Sequence, residues 1–183
     1  MKNALILHGT NANHLENWFP WLEQELKESG YMVWVPDLPG ADKPDLAVYN
    51  QHIFSTWKFN SDSIIVGHSS GAVAILALLE NLPDSVQIDT AYLVAGFTDD
   101  LGWESLQKLF IKPFDWKKIR RKARKFILIH SDNDPYVPLA HGEKLKELLG
   151  AELLILQGQG HFSLGEDRPR FKQLPELLEK IIG

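Results

Sequence analysis

At 183 residues, with 44% hydrophobic and 23% charged positions, the chain suits one compact domain with a substantial core and argues against disorder. A formal net charge of -5 argues against a nucleic-acid binder, and the lack of cysteine excludes disulfides, zinc–thiolate sites and a cysteine nucleophile. The first apolar run, Ala4–Leu7, is too short for a secretory signal or a membrane span, so a cytoplasmic protein is expected.

Six short apolar runs recur in chain order: Ala4–Leu7, Tyr31–Val35, Ser63–Val66, Thr90–Ala95, Phe126–Ile129 and Glu152–Leu156. Most are continuous rather than alternating, as in strands of a parallel sheet covered on both faces. Helical spacing fills the gaps. Leu15, Trp18, Phe19, Leu22 and Leu26 share one face of a helix that Gly30 can end. Leu46, Tyr49, Ile53 and Trp57 repeat the pattern, and residues 71–79 are apolar nearly all round, which predicts a buried helix. Leu145, Leu148 and Leu149 precede Gly150, and Leu174, Leu177, Leu178 and Ile181 mark a last helix. Strand and helix alternate throughout, the pattern of a doubly wound α/β sheet in a single domain over residues 1–183.

The connection from Gly96 to Lys125 is long and carries Phe97, Trp103, Phe110, Phe114 and Trp116. Segments of this length without structure are uncommon, so one or two helices are expected there. Leaving the carboxyl end of a strand, it can serve as a cap over a ligand pocket or simply pack onto the sheet. Its end, residues 117–125, holds seven basic residues in nine. A solvated helix face explains that run better than a nucleic-acid patch or a targeting signal.

Gly67-His68-Ser69-Ser70-Gly71 follows the third strand and opens the buried helix. This is the Gly-x-Ser-x-Gly pattern of a nucleophile elbow, in which a strained turn projects the serine hydroxyl above the sheet. The flanking glycines lack the Cβ atoms that would collide there, and the Ser70 amide at the helix start can face a developing oxyanion. A glycine-rich turn cradling a phosphate is the plainer alternative for the pentapeptide alone. Partners for Ser69 follow the last two strands. The fifth strand runs into Asp132-Asn133-Asp134-Pro135-Tyr136-Val137-Pro138, and the sixth into Gly160-His161-Phe162. Serine, acid and base in that order, each after a parallel strand, point to Ser69 activated by His161.

Asp132 and Asp134 compete for the acid. Asp134 is favoured because it heads a turn and a helix start; a calcium loop at 132–134 lacks the glycine and glutamate such a loop needs. His8-Gly9-Thr10 after the first strand should supply a second oxyanion donor, the Thr10 amide ahead of that of Asn11. His68 is expected to pack at the elbow, and His14, His52, His130 and His141 show no metal-ligand spacing.

Taken with Asn17-Trp18-Phe19-Pro20-Trp21-Leu22 and Leu93-Val94-Ala95-Gly96-Phe97, these motifs resemble the retinoblastoma-binding-protein-nine-like (YdeN-like) serine hydrolases over essentially the whole chain. The resemblance implies a reduced α/β-hydrolase fold with six parallel strands in the order 2-1-3-4-5-6. It also implies that Ser69, Asp134 and His161 form the triad. Ser70 stands where Leu or Met is frequent in such proteins, and only its backbone amide is needed.

The expectation is a serine hydrolase, carboxylesterase-like, acting on a small ester or amide, with no metal or organic cofactor. Neither a nucleic-acid nor a membrane partner is expected, and a protein partner is left open. A non-catalytic adaptor keeping the hydrolase fold and an acyltransferase using the same triad are the alternatives.

Overall fold

In a computed structural model, which describes residues 1–163 and 171–183, six strands form one sheet. They are β1 (Asn3–Leu7), β2 (Met32–Trp34), β3 (Ser63–His68), β4 (Ile88–Val94), β5 (Ala123–Ser131) and β6 (Glu152–Leu156). All pairings are parallel, in the order β2-β1-β3-β4-β5-β6, as the resemblance implies. The helices are α1 (Phe19–Glu28), α2 (Leu46–Thr56), α3 (Ser70–Asn81), α4 (Trp116–Arg120), α5 (Leu139–Leu149) and α6 (Pro175–Ile182).

Alternation along β3 sorts the core into two layers. Ile65 joins Tyr49 and Ile53 of α2, Leu145 and Leu149 of α5 and the apolar body of α3. Ile64 and Val66 face Phe19, Leu22 and Leu26 of α1 and Leu177 of α6. With both faces covered, β1 and β3 are buried along their whole length, which is why they read as unbroken apolar runs. The edge strand β6 is only partly covered. Helix α3 lies deepest, buried from Ser70 through Leu79.

Some boundaries differ from the sequence reading. Helix α1 begins at Phe19, with Pro20 in its first turn, so Leu15 lies outside it and is 70% exposed. Residues 117–125 are not one helix face: α4 ends at Arg120 and β5 begins at Ala123. Between them Lys122 is buried, donating to the Pro83 carbonyl at 2.8 Å and to Asp84 at 3.0 Å. The long connection holds a 3₁₀ turn over Glu104–Leu109 besides α4. No helix among the described residues is long and apolar enough to cross a membrane.

Candidate active site

Ser69 stands between β3 and α3 with φ 56° and ψ -123°. A non-glycine residue holds such a conformation only where its surroundings over-determine it. Here its N–H donates to the Val94 carbonyl of β4 at 2.9 Å, and its own carbonyl accepts from Ala72 at 2.9 Å. The flanking glycines are sterically required. A Cβ on Gly67 would lie 2.6 Å from the Gly71 carbonyl oxygen, and one on Gly71 would lie 2.5 Å from the carbonyl oxygens of Leu7 and His8.

The loops after β5 and β6 bring Asp134 and His161 together. His161 Nδ1–H donates to Asp134 Oδ2 at 2.8 Å, and the Asp134 side chain is 1% exposed. Oδ1 of Asp134 accepts from the amides of Tyr136 at 2.9 Å and Val137 at 3.0 Å. Burial pushes this carboxyl up, but the hydrogen bond and charge of His161 and the two amides outweigh it and hold the group below the usual carboxylate range. Asp132 does something else: its Oδ1 accepts from the Gly158 amide at 2.7 Å. Ser131 Oγ accepts from Gln159 N–H at 2.9 Å, and Asn133 Oδ1 from Gly160 N–H at 2.7 Å. These three side chains splice the end of β5 and the loop after it to the loop after β6. The sequence reading missed Ser131 and Asn133, although Ser, Asp and Asn are the residues whose short side chains bond nearby backbone.

The loop after β1 runs against Ser69, since a Cβ on Gly9 would come 3.0 Å from its Cβ. His8 anchors this loop. Its Nδ1–H donates to the Gly9 carbonyl at 2.9 Å while Nε2 accepts the Leu38 amide at 2.8 Å, a bonding pattern only the neutral ring can make. Burial lowers its pKa accordingly, against the smaller opposing effect of the Gly9 carbonyl. Asn11 spends its amide on the Ala41 carbonyl at 3.0 Å, while no backbone acceptor takes the Thr10 amide among the described residues. The Thr10 hydroxyl donates to Ser70 Oγ at 2.9 Å, which ties together the two loops expected to hold an oxyanion.

Ser69, His161 and Thr10 line one cavity of about 300 Å³, whose apolar wall includes Phe97, Trp103 and Tyr136. The Tyr136 ring stands edge-on to His161 at 5.1 Å, and Trp103 edge-on to Tyr136 at 5.8 Å. The hydrogen bonds among the described residues do not include one between Ser69 Oγ and His161. Of the other histidines, His14 pairs with Asp37 and His141 Nδ1 accepts from Thr98. No cluster of three or more His, Asp or Glu that could hold a metal ion occurs among the described residues.

A family model described as serine hydrolase matches residues 4–180. The chain is 30% identical over 182 residues to the YdeN protein of Bacillus subtilis (strain 168), covering 98% of this chain and 94% of YdeN. It is 27% identical over 184 residues to serine hydrolase RBBP9 of Rattus norvegicus, covering 98% and 95% of the two chains. The crystal structure of the B. subtilis ydeN gene product superposes with a TM-score of 0.91 at 29% identity, over 99% of this chain and 97% of that one. Because the family match runs through all six strands and every loop described above, the chain belongs to the serine hydrolase family.

Proposed function

We propose that this hydrolase cleaves small carboxylic esters, with amides as a second class, through an acyl-Ser69 intermediate. The observation that carries the proposal is the 2.8 Å bond between Asp134 and His161, a histidine that lines the same cavity as a serine held at φ 56°. A serine hydroxyl is a weak nucleophile until a base takes its proton during attack. With Nδ1–H committed to Asp134, the lone pair of His161 lies on Nε2, and that atom receives the proton. The contact between Ser69 Oγ and Nε2 closes as substrate seats, a tightening common to catalytic hydrogen bonds.

Oγ then bonds to the ester carbonyl carbon, and the electron pair of the C=O bond moves onto oxygen. The amides of Ser70, at the start of α3, and of Thr10 receive that oxyanion. As the intermediate collapses, His161 passes its proton to the departing alcohol. Water, deprotonated by the same imidazole, repeats the sequence and frees the acid. Phe97 and Trp103 give the 96–125 connection a cap-like part in binding the substrate. A cavity of about 300 Å³ suits a small acyl or alcohol group.

Hydrolysis of a panel of p-nitrophenyl esters and aminoacyl amides by wild type and Ser69→Ala tests the proposal. Wild type should turn over short esters fastest, and the variant should lose several orders of magnitude in kcat while melting at a similar temperature. Comparable turnover by both proteins would remove Ser69 from the mechanism.

A further inference from the structure

Two side chains that take no part in the chemistry above converge on the loop carrying the base. His68, the residue before the nucleophile, places Nε2 at 2.7 Å from the carbonyl oxygen of His161. A carbonyl can only accept, so Nε2 carries the hydrogen and Nδ1 the lone pair. Trp18, at the entry to α1, donates its indole N–H to the next carbonyl, that of Phe162, at 3.1 Å. Both donors are buried, and the rings of Trp18 and Phe19 each stand 6.1 Å from that of His68. Phe162 is itself fully buried with φ 54°, a backbone state that needs outside support in an L residue.

We infer that His68 and Trp18 are positioning residues for the general base, their N–H groups holding the His161 and Phe162 carbonyls so that the imidazole stays in the cavity it shares with Ser69, ready for the contact that closes as substrate seats. This rests on the proposed triad. Side chains of the acid loop hold the amides of residues 158–160, while these two donors hold the carbonyls of 161 and 162, so the base loop is gripped along both kinds of backbone group. Packing alone does not explain the imidazole at position 68. Its Nδ1 is buried without a hydrogen-bond partner among the described residues, a cost that a hydrocarbon side chain filling the same space would avoid. What the imidazole adds is the bond to His161. Burial, helped by the charge of His161, pushes the pKa of His68 to about 3, so a second cation does not form 4.8 Å from the base ring in the neutral range.

The test compares His68→Gln, whose amide nitrogen reaches where Nε2 lies, with His68→Asn, the same amide one methylene shorter, and with Trp18→Phe, which removes the indole N–H. Steady-state hydrolysis of p-nitrophenyl acetate and the rate of covalent labelling by a fluorophosphonate are measured, with thermal melts as the fold control. His68→Asn and Trp18→Phe should lose about 10- to 100-fold in kcat with KM within about twofold, as expected for a base displaced by about an ångström. Labelling should slow in parallel, and His68→Gln should recover most of the rate. Unchanged kcat in Trp18→Phe, or equal kcat in the Gln and Asn variants, overturns the inference; if His68→Asn does not fold, Trp18→Phe decides. A folded wild type that neither turns over nor labels at Ser69 instead brings down the triad, and this inference with it.

Discussion

Asp132 and Asp134 stand two positions apart after β5, yet one accepts from a histidine ring and the other from a backbone amide. Replacing Asp134 with Asn should lower kcat by about 10³- to 10⁴-fold, because an amide cannot hold the imidazole in the required tautomer. Asp132→Asn should stay within about threefold of wild type, since an Asn oxygen can still accept the Gly158 amide. Steady-state kinetics on one p-nitrophenyl ester reads both, and the reverse pattern would move the acid to Asp132. At this scale the turn at Ser69 and the pairing of Asp134 with His161 were legible because each loop carries its own signature: the Gly-x-Ser-x-Gly pentapeptide, the aspartate before Pro-Tyr-Val-Pro, and Gly-His-Phe. The pairing of Thr10 with Ser70 was not legible. It joins positions 60 residues apart, and no local pattern encodes which hydroxyl meets which.

The elbow as an element depends on backbone running against backbone. A methyl group added at Gly71 meets the carbonyl oxygens of Leu7 and His8 at 2.5 Å, so β1 and α3 would have to separate. Gly71→Ala should therefore cost about 3 kcal/mol or more and take activity with it. Urea unfolding measures the loss, and a variant as stable as wild type would contradict the close approach. The alternation of strands and helices followed from apolar runs because a doubly covered parallel sheet leaves few alternatives, whereas the strand order came from the family resemblance. Local competition blurred the boundaries instead. Pro20 starts α1 later than the apolar spacing suggests, and β5 begins at Ala123 with exposed Arg124 and Lys125 ahead of its buried run from Phe126. The basic run from 117 to 125 likewise hid a strand start and the buried Lys122, whose ammonium is matched by the Pro83 carbonyl and Asp84.

Across the whole molecule, burial of neutral histidines ties stability to pH. Burial is the main cause pushing His68 down to about 3 and His130 to about 4; the charge of Asp134 opposes the shift at both. Both folded values lie below the unfolded value of about 6.5, so below that pH the unfolded chain binds more protons. The stability is complete above pH ~6.5 and is lost as pH falls toward the folded values. At pH 5 each group should have cost about 2 kcal/mol relative to pH 8. Both ring nitrogens of His130 are buried without partners among the described residues, so His130→Leu should remove its share of the pH dependence. Urea titrations at pH 8 and pH 5 should show about 2 kcal/mol less loss in the variant than in wild type. An unchanged loss would mean that His130 does not titrate on unfolding.

The most direct measurement is intact-mass and peptide mapping of the folded protein after exposure to a fluorophosphonate. A nucleophile activated by His161 takes up one phosphonyl group at Ser69, and neither heat-unfolded protein nor folded Ser69→Ala takes it up. A folded wild type that stays unmodified, or that carries the group on another residue, contradicts an activated serine at the elbow.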